Sequence, residues 1–272
     1  MTAARRSLAM IEQLVDQLSP RDRAILLDLA RVRVLTGEQL TRLHFQDLSI
    51  TTRDRTRRRV LARLAEHDLV TPLERTIGGA RAGSAGLVFA LGVTGQRALP
   101  LLASARDAAG GGESRARRPW TPGQMFLKHS LAISELYVQL HEAQAASQLV
   151  LGRFAVEAAA WWPDGAGGLL KPDASACVAH DDIEDSWFVE VDRATESPVT
   201  LGRKLRRYVD FARTGQLGPD GVTPRVLLTV PHERRMRDVR NLMARLPPPA
   251  DQLIFPEFFE TATARVVQML RE

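Results

Sequence analysis

The stretch Thr51–Val70, TTRDRTRRRVLARLAEHDLV, constrains this chain more than any other. Its apolar residues recur at helical spacing. At 100° per residue, Val60, Leu61 and Leu64 fall on one side, and Arg55, Arg58 and Arg59 fall on the opposite one. Five arginines lie within Arg53–Arg59, so the leading half of the helix is cationic and its tail is packed. A helix of this kind needs a small core behind it and an anion or water in front. The arginine fork donates two bonds to guanine O6 and N7, or to a phosphate. A charge run also suits a solvated face, so the flanking sequence must decide between the two.

Those flanks read as two helices before the arginine helix and a hairpin after it. Ser7–Leu18 is a short leading helix. Ser19-Pro20 then supplies an N-cap and a first-position proline, and Ile25, Leu26, Leu29 and Ala30 give that helix an apolar side. Val32–Leu35 reads as an apolar connector. Thr36 caps a helix over Gly37–Phe45, and a polar turn, Gln46–Ile50, leads into the arginine helix. A strand over Leu69–Glu74, the loop IGGARAGSAG and a strand over Leu87–Leu91 follow, then a closing helix over Thr94–Ala105. Helix, helix, arginine helix and hairpin in this order predict a winged helix-turn-helix. Its partner would be double-stranded DNA, with Arg55, Arg58 and Arg59 nearest the groove. Arg53 and Arg57, closer to the packed side, would reach phosphates, and Arg75 and Arg81 from the hairpin would reach a neighbouring phosphate or the minor groove.

Charge supports that assignment. The net of +5 hides an asymmetry: residues 1–120 carry +8, every cation an arginine, and residues 121–272 carry −3. An anionic partner for the first part follows. No apolar run approaches the ~18 residues of a membrane span, and MTAARRSLAMIEQL lacks the pattern of a secretion signal. The lone Cys177 excludes an internal disulfide and a cysteine-rich zinc site. A cytoplasmic protein is expected.

At 272 residues the chain suggests two domains. Residues 107–123, with Gly110-Gly111-Gly112, Arg115, Arg117, Arg118 and two prolines, read as a linker between residues 1–106 and 124–272. The second domain opens with a helix over Phe126–Ala145. Strands are expected at Arg153–Trp161, Leu170–Ala179, Trp187–Asp192, Arg225–Val230 and Gln252–Phe255, and helices at Val199–Arg213, His232–Leu246 and Thr261–Leu270. The fold class is α+β: a winged helix-turn-helix followed by an α/β domain with a central mixed sheet.

Chemistry concentrates at Lys171-Pro172-Asp173 and Phe188-Val189-Glu190-Val191-Asp192-Arg193. These lie on strands joined by the turn AHDDIEDS. Residues two apart on a strand share a face, so Glu190 and Asp192 point together. If Asp173 joins them, three carboxylates offer hard oxygen ligands to Mg²⁺ or Mn²⁺, which would activate water against a phosphodiester. The same acids also suit a solvated sheet face, or pairing with Arg193 and Arg203. Trp161-Trp162-Pro163 suits either stacking on bases or packing at a strand end. His180-Asp181-Asp182 falls in a turn, and His129 lies six residues from Glu135, off the i, i+4 spacing of a helical metal pair.

Pro-Asp followed by Glu-x-x on the next strand resembles the PD-(D/E)xK nuclease core, the fold of restriction endonucleases. The resemblance implies a preceding helix that carries a Glu, a place Glu135 would fill. It also implies Glu-x-Lys, where this chain has Glu190-Val191-Asp192. Lys204 on the following helix would supply the missing cation. The catalytic set would then be Glu135, Asp173, Glu190, Asp192 and Lys204, with Asp173, Glu190 and Asp192 as metal ligands. The ordered segments LSPRDRAILLDLARVRVLTGEQLTRLHF, LARLAEHDLV, LGVTGQRAL, LKHSLAISELYVQL and FVEVDRATESPVTLGRKLRRY resemble the replication-relaxation family of actinobacterial and other Gram-positive plasmids and integrative elements. That resemblance implies a winged helix joined to a nuclease-like domain, serving plasmid replication or DNA relaxation. The alternative is a transcriptional regulator whose second domain is an inactive dimerisation or partner-binding module. A homodimer stays open, although no heptad seam argues for one.

Overall fold

The computed structural model describes residues 7–76, 86–102 and 123–272, and of 74–76 the backbone only. Helices α1 (Leu8–Asp16), α2 (Pro20–Val32), α3 (Gly37–His44), α4 (Ile50–Glu66) and α5 (Val93–Leu102) alternate with strands β1 (Val34–Thr36), β2 (Val70–Thr76) and β3 (Leu87–Leu91). Helix α6 (Gln124–Ala145) leads to β4 (Val150–Val156), a 3-10 turn (Glu157–Ala160), β5 (Trp162–Pro163), β6 (Leu169–Leu170), β7 (Ala174–His180) and β8 (Ile183–Val191). Then come α7 (Pro198–Arg213), β9 (Arg225–Val230), α8 (Glu233–Met243), α9 (Ala250–Leu253), β10 (Ile254–Phe258) and α10 (Ala262–Met269). The chain divides into two units, residues 1–134 and 135–272, and the division falls inside α6.

In the first unit the sequence ends its helices where their caps lie. Ser19 and Asp22 form a reciprocal capping box, with Pro20 in a first turn that needs no N–H. Thr36 and Gln39 repeat the box at α3. Asp22 is 1% exposed and also accepts from Arg63 at 2.6 Å, which ties α4 to α2. Burial pushes the Asp22 carboxyl up, but Arg63 and the Ser19 cap outweigh it and hold it below its ordinary value. Leu61 and Leu64 anchor α4 in a core with buried Ile25, Leu26, Leu29, Leu40 and Phe45 in the same unit.

Residues 32–35 are more than a connector. Val34, Leu35 and Thr36 pair antiparallel with Ala90, Phe89 and Val88, so β1 joins the β2–β3 hairpin in a three-stranded sheet. The leading part of α6 packs here too: Leu127 and Leu131 meet Val34, Leu73 and Val88, and Ser134 Oγ donates to the Val34 carbonyl at 2.7 Å. The loop tip with Arg81, the Arg75 side chain and all but the last residue of the expected linker lie outside what is described.

In the second unit, strands run in the order β10-β9-β8-β7-β4. β4, β7 and β8 are antiparallel neighbours, while β8, β9 and β10 are parallel, so the sheet is mixed. The fold is α+β. Side chains alternate along central β8. Phe188 packs with Leu201, Leu205 and Tyr208 of α7, while Trp187 and Val189 line a small apolar void with Leu136, Leu140 and Val266. This alternation turns Glu190 toward α7.

Four of the boundaries that differ from the sequence reading do so for a local reason. β4 stops at Val156 and gives way to the 3-10 turn. Pro172, which has no N–H for a ladder, separates β6 from β7, so Asp173 precedes its strand. The β7–β8 turn shrinks to Asp181-Asp182, with Asp181 at φ 52°, and Ile183 to Ser186 are strand. The residues before Ile254 form the helical turn α9.

Candidate functional site

Helix α4 sorts its arginines into two groups. Arg55, Arg58 and Arg59 are exposed. Among the described residues Arg58 donates along its own helix, to the Asp54 carbonyl at 3.3 Å, and Arg55 and Arg59 have no acidic partner. Arg53 is half-buried and donates to the Leu48 carbonyl at 3.2 Å. Arg57 is only 3% exposed. Its Nη1 donates to Thr41 Oγ1 at 2.8 Å and to the Gly37 carbonyl at 3.4 Å, and pairs with Asp54 at 3.2 Å. Burial lowers its pKa, against the pull of Asp54. The expectation that Arg57 reaches a phosphate is therefore corrected: its guanidinium is spent inside, bracing α3 against α4.

The second cluster gathers on the α7 side of β8. Glu190 is 2% exposed. Tyr208 Oη donates to its Oε1, and Lys204 Nζ makes an ion pair with its Oε2. Lys204 and Tyr208 stand four apart on α7, on one helix face, and so grip the two oxygens of one carboxylate. Asp173 completes the group: its Oδ2 accepts from the Val191 N–H at 2.8 Å, and its N–H donates to the Val189 carbonyl at 3.0 Å. Burial pushes the Glu190 carboxyl up to about 8; Lys204 pulls against that shift and the Asp173 charge adds to it. Burial pulls Lys204 down, yet the Glu190 and Asp173 carboxylates outweigh it and keep the ammonium protonated. Burial and the same acids raise Tyr208, which stays a donor.

Asp192 stands apart from this group. Both its oxygens meet Arg235 of α8, one at 3.2 Å, and Oδ1 also accepts from the Ala194 N–H at 2.8 Å. Arg235 is itself buried and donates to the Glu196 carbonyl at 3.0 Å. Glu135 lies half-buried on α6. Among the described residues no three His, Cys, Asp or Glu side chains converge as a metal-holding group. The structure thus brings together Asp173, Glu190 and Lys204, while Asp192 is held by Arg235. Mg²⁺ is commonly held by one or two carboxylates, with water and substrate oxygens completing its shell. Asp173 and Glu190 are two such carboxylates, with both Glu190 oxygens also held by Tyr208 and Lys204. Sequence reasoning missed Tyr208 and Arg235. Tyr208 carried a signal, its spacing from Lys204, whereas nothing local marked Arg235.

These features define an α+β protein with an arginine-faced helix in one unit and a carboxylate–lysine–tyrosine cluster beside a mixed sheet in the other. A family model described as replication-relaxation matches residues 26–226, and the chain belongs to that family. The match includes both clusters but stops short of Arg235. Membership gives the chain a general replication- or relaxation-associated role. No curated protein matches it. Among the described residues no helix is long and apolar enough to cross a membrane.

Proposed function

We propose that this is a DNA-binding protein of plasmid or mobile-element replication or relaxation, whose winged helix-turn-helix holds duplex DNA beside a nuclease-like unit. One observation carries the reading: Arg55, Arg58 and Arg59 face solvent along α4 while Arg57, Leu61 and Leu64 anchor its other side. A helix braced in this way presents rigid guanidinium forks to a groove and its phosphates. Replacing the three exposed arginines by alanine is expected to weaken binding to a short duplex at least tenfold in an anisotropy titration. Unchanged affinity would remove α4 from the interface.

The nuclease-like part of the proposal rests on the contact between Lys204 and Glu190 beside Asp173. Asp173 and Glu190 would hold a divalent ion, which when bound supplies an activated water and stabilises a leaving oxygen. Tyr208 orients Glu190 through one oxygen. Lys204 carries an ammonium that would meet the charge developing on a phosphodiester, standing in from α7 for the absent Glu-x-Lys lysine. Supercoiled plasmid incubated with Mg²⁺ or Mn²⁺ is expected to be nicked by the wild type and left intact by Asp173→Ala. Equal nicking by both would assign the cleavage elsewhere. Intact plasmid with both, together with tight duplex binding, would favour the regulator reading.

A further inference from the structure

We infer that Trp161 and Lys171 form a stacking site for an unpaired base of single-stranded DNA. This goes beyond duplex binding by α4 and uses other residues, all in the second unit. The two adjacent tryptophans are treated differently. Trp162 packs against the core around Phe188 and α7, and its Nε1 donates to the Leu217 carbonyl at 2.8 Å. Trp161 remains 39% exposed, and the Lys171 ammonium lies 4.6 Å from its ring centre. An indole left in water forgoes burial that most tryptophans obtain.

The platform is held in place from beneath. β5 and β6 pair Trp162 with Leu170 and Pro163 with Leu169. Arg207 of α7 bonds Asp164 at 3.0 Å and the Leu169 carbonyl at 2.6 Å, and Asp164 Oδ1 accepts from the Ala166 and Gly168 N–H groups. Trp161 and Lys171 stand at the two ends of this hairpin. The pair also flanks the carboxylates: Lys171 precedes Asp173 by two residues, about 7 Å of extended chain, and the Glu157 N–H donates to the Asp173 carbonyl at 3.0 Å. A base would stack on the ring face away from the ammonium, which lies over the ring and carries a charge for the base's phosphate. A base paired in a duplex is stacked on both sides, so the ring selects an unpaired one.

The test is anisotropy of labelled oligothymidine, and of a blunt duplex, with the full-length protein. Trp161→Ala is expected to weaken oligothymidine binding about tenfold, within the range for removing one base–aromatic stack. Trp161→Phe, which keeps a ring, should retain most of the affinity, and Lys171→Ala should lose part of it together with part of its salt dependence. Duplex affinity should stay the same in all three. Absence of oligothymidine binding by the wild type, equal affinity in Trp161→Ala, or equal loss on both probes overturns the site. The Arg55, Arg58 and Arg59 triple variant separates this inference from duplex binding. It should lose duplex affinity and keep the Trp161-dependent difference on oligothymidine. If instead its duplex affinity holds, the duplex reading fails and the stacking site stands.

Discussion

Arg55 and Arg57 sit two residues apart on one helix and do unlike work. Arg57 gives its guanidinium to Thr41, Gly37 and Asp54, and Arg55 is left to solvent. Removing Arg57 takes away the donor to Thr41 Oγ1, whose hydroxyl itself bonds the Gly37 carbonyl, and leaves a gap between α3 and α4, so Arg57→Ala should lower stability by about 1–3 kcal/mol in denaturant melts. The salt dependence of DNA binding should not change in that variant; if stability holds and the salt dependence falls, the two roles have been exchanged. Glu190 gives a second residue-scale prediction. Its carboxyl is raised from an ordinary 4.5 to about 8. A raised folded-state pKa contributes stability in full below the unfolded value and loses it as pH rises through the folded one. Melting temperature should therefore fall between about pH 5 and pH 9 in the wild type, and Glu190→Gln, which imitates the protonated acid, should flatten that fall. A slope that survives in Glu190→Gln would assign it to another group.

At the scale of elements, strong periods were legible and short or interrupted pieces were not. α4 followed from the opposition of Leu61 and Leu64 to the arginines, and α2 and α3 from Ser19-Pro20 and Thr36. β1 escaped because three apolar residues look alike in a connector and in a strand; only pairing with Phe89 and Ala90 distinguishes them. The start of β8 escaped because Glu184 and Asp185 made it look like a turn, yet they pair with Ala179 and Val178. Lys204 was readable as a cation one helix away from Glu190, while Asp192 was misjudged because Arg235, 43 residues further on, takes it. One close approach tests the packing of these elements. A Cβ on Gly95, at the start of α5, would lie 2.0 Å from the Leu69 carbonyl oxygen, and that oxygen is backbone. Gly95→Ala should cost about 1–3 kcal/mol as the helix shifts away, read from thermal melts. A neutral result would mean that the turn between α4 and β2 yields easily.

Over the whole molecule, charge divides as the composition suggests: +8 before residue 121 and −3 after it, with both candidate sites inside the family match. The cationic part faces outward on α4, whereas in the second unit Glu190, Asp192 and Asp185 are paired with Lys204, Arg235 and Arg225. On the proposed function a polyanion would be drawn to the first unit, and that attraction would fade with salt. The most direct measurement is the slope of log affinity for duplex DNA against log salt concentration. In the Arg55, Arg58 and Arg59 to alanine variant the account predicts a slope shallower by about 2–3 than in the wild type, since each phosphate left unneutralised removes close to 0.9. The same slope in both proteins would contradict it.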